Sequence, residues 1–327
     1  MRRHYLLAAF LLLLSSLMWA QDLFDPNLTP EGVRAALDAG ADLEARTEGG
    51  LTPLMYAARY NENPEVVQVL LEAGADLEAR NKDGWTSLMY AAATHSNPEV
   101  VQVLLGAGAD LEARSTEYGN TPLLLAARDN ENPEVVQVLL DAGADLEARN
   151  EWGSTPLMSA VWGNENLEVV QVLLDAGADL EARDEDGWTP LLSAVRNNPN
   201  PEVVLALLDA GADLEARDED GWTLLMYAVR YNSDPEVAQA LLDAGADLEV
   251  RTKWGSTLLD SLRSARLQPL LFAAGYNENP EVVQVLLDAG ADLEARDEDG
   301  RTSLMYAAWL NRNTEVVQVL LDAGADL

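Results

Sequence analysis

The sequence predicts an all-α repeat fold, a solenoid of stacked helix–turn–helix units. The phrase AGADL recurs nine times in 327 residues, and its glycines lie 34 or 35 residues apart except for one interval of 45. These glycines are Gly40, Gly74, Gly108, Gly143, Gly177, Gly211, Gly245, Gly290 and Gly324. A period near 34 is typical of one supersecondary unit that buries its apolar face against its neighbours.

Residues 81–114 show how one unit is built. Thr86 precedes the short apolar run 88–92 and is the predicted N-cap of a first helix; in most sister copies the next residue is proline, which suits a first helical turn. Asn97 is the predicted N-cap of a second helix, and Pro98 takes its first position.

The second helix of this unit carries an apolar stripe and a glycine stop. Val100, Val101, Leu104 and Leu105 lie on one face. Gly108 then supplies the left-handed residue that ends a helix. The following LEARxxDG is interpreted as an extended arm and a tight turn that lead to the next threonine.

The pattern resembles the ankyrin repeat, in which a β-turn finger precedes two antiparallel helices. The matching motifs are G-x-T-P-L, A-A, E-V-V-x-x-L-L and G-A-D, and they cover residues 29–327 as eight full copies and a leading half copy. The resemblance implies an ankyrin solenoid with β-turn fingers. It also implies a concave groove, lined by fingers and first helices, where a partner protein binds.

Two features depart from the family pattern. The histidine that usually follows T-P-L is replaced, as at Met55, Met158, Leu192 and Met305. Its hydrogen bonds to neighbouring loops are therefore expected to be missing, with a thioether or aliphatic contact in their place. One extra residue also separates the two helices, as in 59–63.

The repeats divide the chain into three parts. Residues 1–20 are a predicted signal peptide, residues 22–46 a half repeat that caps the N-terminal end, and residues 47–327 eight repeats. The seventh carries an 11-residue insertion at 258–268. We interpret the insertion as the remnant of a deleted unit, the alternative being a protruding helix that contacts a partner.

The first twenty residues have the form of an export signal. Arg2 and Arg3 precede an apolar run from Leu6 to Met18, and Ala20 is a plausible last residue before cleavage. The run is shorter than the roughly 20 residues of a membrane span. The mature chain is therefore expected to be periplasmic or secreted, with no stable membrane insertion.

The charge of the chain indicates which classes of partner it can bind. Acidic residues number 56 and basic residues 21, a net charge of -35, so nucleic acid is a poor partner. The acidity favours solubility, or attraction to a basic partner protein. The expected state is a monomer.

Few residues could support catalysis. The chain has no Cys and two His, of which His4 lies in the predicted signal. His95 aligns with Asn61, Asn130 and Asn164, which we interpret as exposed loop positions unsuited to a catalytic imidazole. No catalytic residue and no cofactor are predicted.

Two charged patterns are interpreted as structural. RDEDG at 183–187, 217–221 and 296–300 resembles part of a calcium loop, but Ala182 and Ser193 stand where acids are required, so no metal site is predicted. Weak calcium association with the fingers stays open. The recurrent Glu-Ala-Arg, as in residues 78–80, predicts ladders of Glu and Arg that pair with each other.

The predicted binding surface consists of the positions at which nearly identical repeats differ. Trp, Tyr and Arg, the residue types that dominate interface energetics, recur at these positions in the finger and at the end of the first helix. The finger residues are Trp85, Trp152, Trp188, Trp222, Trp254 and Arg301. The helix-end residues are Arg59, Tyr60, Arg128, Trp162, Arg196, Arg230, Tyr231, Tyr276 and Trp309. The alternative for each finger Trp is packing against the neighbouring finger.

Together these features predict a non-catalytic, exported module that binds a partner protein through the groove. The alternatives are an enzyme or small-molecule-binding protein that uses the acidic groove, and a purely structural spacer.

Overall fold

The repeated threonines and asparagines begin the helices, as their sequence positions predict. In the computed structural model, the Thr52 hydroxyl accepts a hydrogen bond from the N–H of Met55, and the Asn63 side chain accepts one from the N–H of Glu65. Proline follows both caps, at a position where no backbone N–H is needed. Gly74 ends the second helix with a φ of 95°, which glycine adopts without strain.

The structure describes residues 22–94, 96–164, 166–198, 200–218, 220–248 and 268–326. These residues contain seventeen α-helices and a 3₁₀ turn, Asp22–Phe24, and no β-strand. The helices are α1 (Pro30–Asp38), α2 (Pro53–Tyr60), α3 (Pro64–Glu72), α4 (Ser87–Thr94), α5 (Pro98–Gly106), α6 (Pro122–Asp129), α7 (Pro133–Asp141), α8 (Pro156–Gly163), α9 (Leu167–Asp175), α10 (Pro190–Asn197), α11 (Pro201–Asp209), α12 (Leu224–Tyr231), α13 (Pro235–Asp243), α14 (Pro269–Tyr276), α15 (Pro280–Asp288), α16 (Ser303–Leu310) and α17 (Thr314–Asp322). Even-numbered helices are the first helices of the repeats, and odd-numbered helices are the second.

Several predicted features lie outside the described residues. These are the signal peptide at 1–20, all but the last residue of the 258–268 insertion, His95 and Trp254. Among the described helices, none is both long enough and apolar enough to cross a membrane.

Two units, Met1–Ser159 and Ala160–Leu327, divide the chain within α8. In the first unit α2, α4 and α6 pack in one row, and α1, α3, α5 and α7 in another. In the second unit the rows are α10, α12, α14 and α16, and α9, α11, α13, α15 and α17. Each row follows chain order, which confirms the predicted all-α repeat solenoid.

The core lies between neighbouring helix pairs. Val66, Val67 and Leu70 of α3 are fully buried. The residue that replaces the family's histidine is also buried in seven described repeats, at Met55, Met89, Leu124, Met158, Leu192, Met226 and Leu271. In the last described repeat its counterpart, Met305, is 50% exposed because no further described repeat covers it. The apolar contact expected at this position is therefore present wherever a neighbour follows.

In the described part of the chain, six asparagines, five of them buried, hydrogen-bond their repeats to the preceding ones. Asn198 is 1% exposed, and its Nδ2 donates to the carbonyl oxygens of Val161 at 2.8 Å and Asn164 at 3.3 Å. Its Oδ1 accepts from the N–H of Asn200 at 2.9 Å. With Asn198, the residues whose Nδ2 donates to a preceding repeat in this way form the asparagine ladder: Asn61, Asn130, Asn232, Asn277 and Asn311. These hydrogen bonds come from a different position than the replaced histidine, whose place is taken by buried Met and Leu side chains.

The asparagine ladder also corrects the interpretation of this position as an exposed loop. Asn61, Asn130 and Asn164 are each 3% exposed. The amide lies inside the stack, where a polar group must be hydrogen-bonded. His95, which aligns with them, is outside the described residues, so its own environment stays untested.

The stack continues past the insertion in the seventh repeat. Asn277 donates to the carbonyl oxygens of Val229 and Asn232, each at 2.9 Å, although 45 residues separate the two asparagines. Helices α12 and α14 pack as consecutive first helices. The extra residues therefore leave the register of the repeats unchanged, and any contact between them and a partner stays a prediction.

The Glu and Arg of the recurrent Glu-Ala-Arg bind backbone groups of the following repeat. Glu78 Oε1 accepts from the N–H of Asp110 at 2.9 Å, and Arg80 Nη1 donates to the carbonyl oxygens of Gly84 at 3.0 Å and Arg114 at 2.7 Å. Glu–Arg pairs of this motif occur at 4.0 Å in Arg217–Glu215 and Arg296–Glu294. The shorter contacts are to backbone groups, so the predicted pairing is confirmed only in part. The segment turns instead of running extended, so both side chains point to the next repeat.

Candidate functional site

The described fingers are tight turns organised by the side chain of their first residue, which is Asn or Asp in most repeats and Thr47 or Ser115 in two others. Asn81 Oδ1 accepts from the N–H of Asp83 at 2.9 Å and of Trp85 at 2.8 Å. Asp218 Oδ1 accepts in the same way from the N–H of Trp222 at 2.8 Å. The first carboxylate of RDEDG thus fixes the turn. Within the described part of the chain, no group of three or more His, Cys, Asp or Glu side chains is placed to hold a metal ion.

Three finger tryptophans pack on aromatic residues of the first helices. The ring centroids of Trp85 and Tyr90 are 5.0 Å apart. Trp188 and Trp222 flank Tyr227, at 4.8 and 5.1 Å. All three tryptophans are half-buried. Part of each indole therefore stabilises the finger on the helix, and the remaining surface faces solvent.

Trp152 occupies a different position from these three. It precedes the finger glycine, Gly153, whereas Trp85 follows Gly84. It packs on Tyr118 of the preceding finger, with centroids 4.6 Å apart, and is 49% exposed. The finger tryptophans therefore occupy two different positions, one on either side of the turn glycine.

The arginines at the ends of first helices lie over aromatic rings. The Arg59 guanidinium is 4.8 Å from the ring centroid of Tyr60 and 5.3 Å from that of Tyr90. Arg196 and Arg230 make the same kind of contact in the second unit, at distances between 4.3 and 5.5 Å. Arg128 differs, since its guanidinium donates to both carboxylate oxygens of Asp129 at 2.8 Å.

The structure groups the predicted groove residues into clusters. In the first unit, Arg59 lies over the rings of Tyr60 and Tyr90, and Trp85 packs on Tyr90. In the second unit the grouped residues are Trp188, Trp222, Arg230, Tyr231 and Tyr276. Two predicted residues lie apart from these clusters and expose most of their rings: Trp162, which is 61% exposed, and Trp309, which is 56% exposed and lies under Arg301.

Sequence reasoning missed the aromatic residues at the centre of these clusters. They occupy the fourth residue of the first helix, as at Tyr90, Tyr227 and Phe272. The same position holds Leu125 and Ser159 in other repeats. Variation between nearly identical copies was the signal that identified the other groove positions, and it applies here equally.

The model of the family described as ankyrin repeats matches residues 17–115, 92–184, 162–252 and 256–327. The chain is an ankyrin-repeat protein. No match to a curated protein was found. Ankyrin repeats generally mediate protein–protein interactions and are typically non-catalytic, so fingers and first helices are the surface to examine in this array.

Two ankyrin fingers are each connected to their first helix by a hydrogen bond from a tyrosine hydroxyl. The Tyr227 hydroxyl donates a hydrogen bond to Asp218 Oδ2, and the Tyr306 hydroxyl donates one to Asp297 Oδ2 at 2.7 Å. Burial, together with the adjacent carboxylate, raises the pKa of both tyrosines well above the ordinary value of 10.0. Both phenols therefore stay protonated and hold the finger residue that organises the turn.

The stability of the ankyrin array is expected to fall as the pH rises above 10. The unfolded chain releases the Tyr227 proton near pH 10.0 while the folded chain retains it, so the contribution is complete below that pH and is lost as the pH rises through the raised pKa. Urea unfolding at a series of pH values from neutral to strongly alkaline measures the slope. Tyr227→Phe should flatten it, and Tyr231→Phe, at an exposed ring, is the matched control. An unchanged slope in Tyr227→Phe contradicts the assignment.

Proposed function

We propose that this ankyrin-repeat protein is an exported, non-catalytic module that binds a partner protein through the groove formed by its fingers and first helices. The proposal rests on two properties of the same positions, the residue types they hold and their exposure to solvent. The positions that vary among nearly identical repeats hold Trp, Tyr and Arg, and five of these aromatic side chains are more than 40% exposed: Tyr60, Trp152, Trp162, Tyr231 and Trp309.

Exposed aromatic rings flanked by arginines suit protein recognition. Trp, Tyr and Arg are enriched among residues whose truncation costs more than about 2 kcal/mol of binding energy. In the second unit, Tyr231 is 46% exposed and lies beside two guanidiniums. The core of the described repeats is filled mainly by Val, Leu, Met and Ala, whereas these five rings keep more than 40% of their surface exposed.

Export is supported by the first twenty residues. Arg2, Arg3 and the apolar run up to Met18 have the order of a secretory signal, with Ala20 as the last residue removed. An enzymatic role is disfavoured because the mature chain has one histidine and no cysteine. The remaining candidates for catalysis are carboxylates, and those at the first finger residue are committed to the turns.

Capture of a partner from the exported fraction tests the proposal. The purified array should recover a protein in stoichiometric amount, and its own N-terminus should be Gln21. The triple variant Trp162→Ala, Tyr231→Ala, Trp309→Ala should reduce recovery by about 100-fold or more, given roughly 2 kcal/mol for each interface anchor. Circular dichroism of the variant should remain helical.

The matched control changes an equally exposed apolar side chain elsewhere. Leu205 is 44% exposed on the second helix α11, away from fingers and first helices. Leu205→Ala should leave recovery unchanged. The groove assignment is wrong if the folded triple variant still captures the partner, or if Leu205→Ala removes it.

A further inference from the structure

Arginines and aromatic rings alternate along the groove of the second unit. Arg196 lies 5.0 Å from the ring centroids of Trp188 and Tyr231. Arg230 lies 5.0 Å from Tyr231, 5.5 Å from Trp222 and 4.3 Å from Tyr276. Tyr231 is thus flanked by two guanidiniums from consecutive repeats. These six residues are named the arginine–aromatic ladder: Trp188, Arg196, Trp222, Arg230, Tyr231 and Tyr276.

The two guanidiniums of the ladder have no acidic partner among the described residues. Other arginines at comparable positions do: Arg128 pairs with Asp129, and Arg301 pairs with Asp299 at 2.9 Å. Arg230 Nε is buried and has no hydrogen-bond acceptor in the described structure. Arg59, which lies over rings in the first unit, also has no acidic partner among the described residues, and Arg46 and Arg80 donate to backbone carbonyl oxygens instead. The ladder differs in placing two such guanidiniums beside one ring, that of Tyr231.

Stacking determines which ligand atoms the ladder can receive. A guanidinium that lies over a ring covers its face, and its N–H donors point outward in its own plane. In-plane donors match a carboxylate, to which arginine forms charge-assisted hydrogen bonds. A partner cation would find the ring faces already occupied and two positive charges beside them. The exposed part of Tyr231 provides an apolar surface between the two arginines.

We propose that the arginine–aromatic ladder binds an extended peptide segment of the partner that carries an Asp or Glu side chain next to an apolar or aromatic one. The inference rests on the proposed protein-binding function and names the chemistry of its contact. The acidity of the chain favours solubility or attraction to a basic partner, but charges more than about 8 Å away are largely screened at physiological ionic strength. The side chains in contact decide which segment is held.

Selection from a random peptide library displayed on phage tests this chemistry. The wild-type array should enrich peptides that combine Asp or Glu with an apolar or aromatic residue. The double variant Arg196→Gln, Arg230→Gln should lose the acidic enrichment and bind a selected peptide about 10- to 100-fold more weakly. Arg34→Gln, at an exposed arginine of α1 outside the predicted binding surface, should behave as wild type.

Enrichment of Lys or Arg, no enrichment at all, or acidic enrichment that persists in the double variant each overturns the inference. If the double variant loses helicity, the test is made on the wild-type array by measuring how its affinity for the acidic peptide depends on salt concentration. The affinity should fall as the salt concentration rises, and an affinity independent of salt overturns the inference. Failure here is separable from failure of the proposed function. One distinguishing result is that the triple aromatic variant loses the partner while the double variant Arg196→Gln, Arg230→Gln still binds it. That result supports binding through the groove and contradicts only the proposed contact with a carboxylate.

Discussion

Replacing Asn198 by alanine is expected to lower the free energy of unfolding by about 3 kcal/mol, because each buried backbone group left without a partner costs roughly 1–3 kcal/mol. The amide satisfies two carbonyl oxygens of the preceding repeat and one N–H of its own second helix. At 1% exposure, water cannot replace it without opening the interface between repeats. Urea unfolding followed by circular dichroism measures the change.

The neighbouring residue provides the control. Asn197 is exposed, and its Nδ2 donates to the carbonyl oxygen of Ser193 within the same helix at 3.2 Å. Asn197→Ala should change the free energy of unfolding by about 0.5 kcal/mol or less, as surface substitutions usually do. Equal effects of the two substitutions would show that the asparagine ladder does not hold the repeats together.

Local features of this fold could be predicted from the sequence because their causes are local. The caps at Thr52 and Asn63 and the stop at Gly74 each depend on residues within four positions along the chain. Each of these features recurs in the eight copies with the same order of residues, which strengthens its prediction. The order of helices along each row follows directly.

The asparagine ladder could not be predicted in the same way. The partners of Asn198 lie 34 and 37 residues earlier, and only stacking brings them within hydrogen-bond distance. The sequence around a loop asparagine does not distinguish an amide that faces water from one that donates to a neighbouring carbonyl oxygen. The Glu78 and Arg80 side chains were misassigned for the same reason, because their partners belong to the next repeat.

The candidate site was predictable in position but not in contacts. Variation between copies located the arginines and most aromatic residues of the groove. It did not reveal that Arg196 and Arg230 lie over rings and not beside carboxylates. The choice between an acidic and a basic ligand depends on that difference, whereas the net charge of the chain alone would favour a basic ligand.

Replacing Gly84 by alanine is expected to lower the free energy of unfolding by about 3 kcal/mol, since a non-glycine residue in a left-handed conformation costs roughly 1–2 kcal/mol and a steric clash adds to it. Gly84 has a φ of 75°. An added Cβ would lie 2.8 Å from the backbone nitrogen of Thr116 and 2.6 Å from its Cγ2. The N–H of Thr116 donates to the carbonyl oxygen of Asp83 at 3.0 Å, so this close approach joins consecutive fingers.

Gly108→Ala separates the two causes. Gly108 has a φ of 91°, but an added Cβ would meet no atom within 4 Å, so only the conformational cost of about 1–2 kcal/mol applies. The difference between the two variants in urea unfolding measures the cost of forcing the fingers apart. If both lose the same amount, finger contact contributes nothing to stability. If Gly84→Ala loses more, the spacing of the fingers that carry Trp85 and its neighbours depends on a glycine, because only glycine lets the two backbones meet.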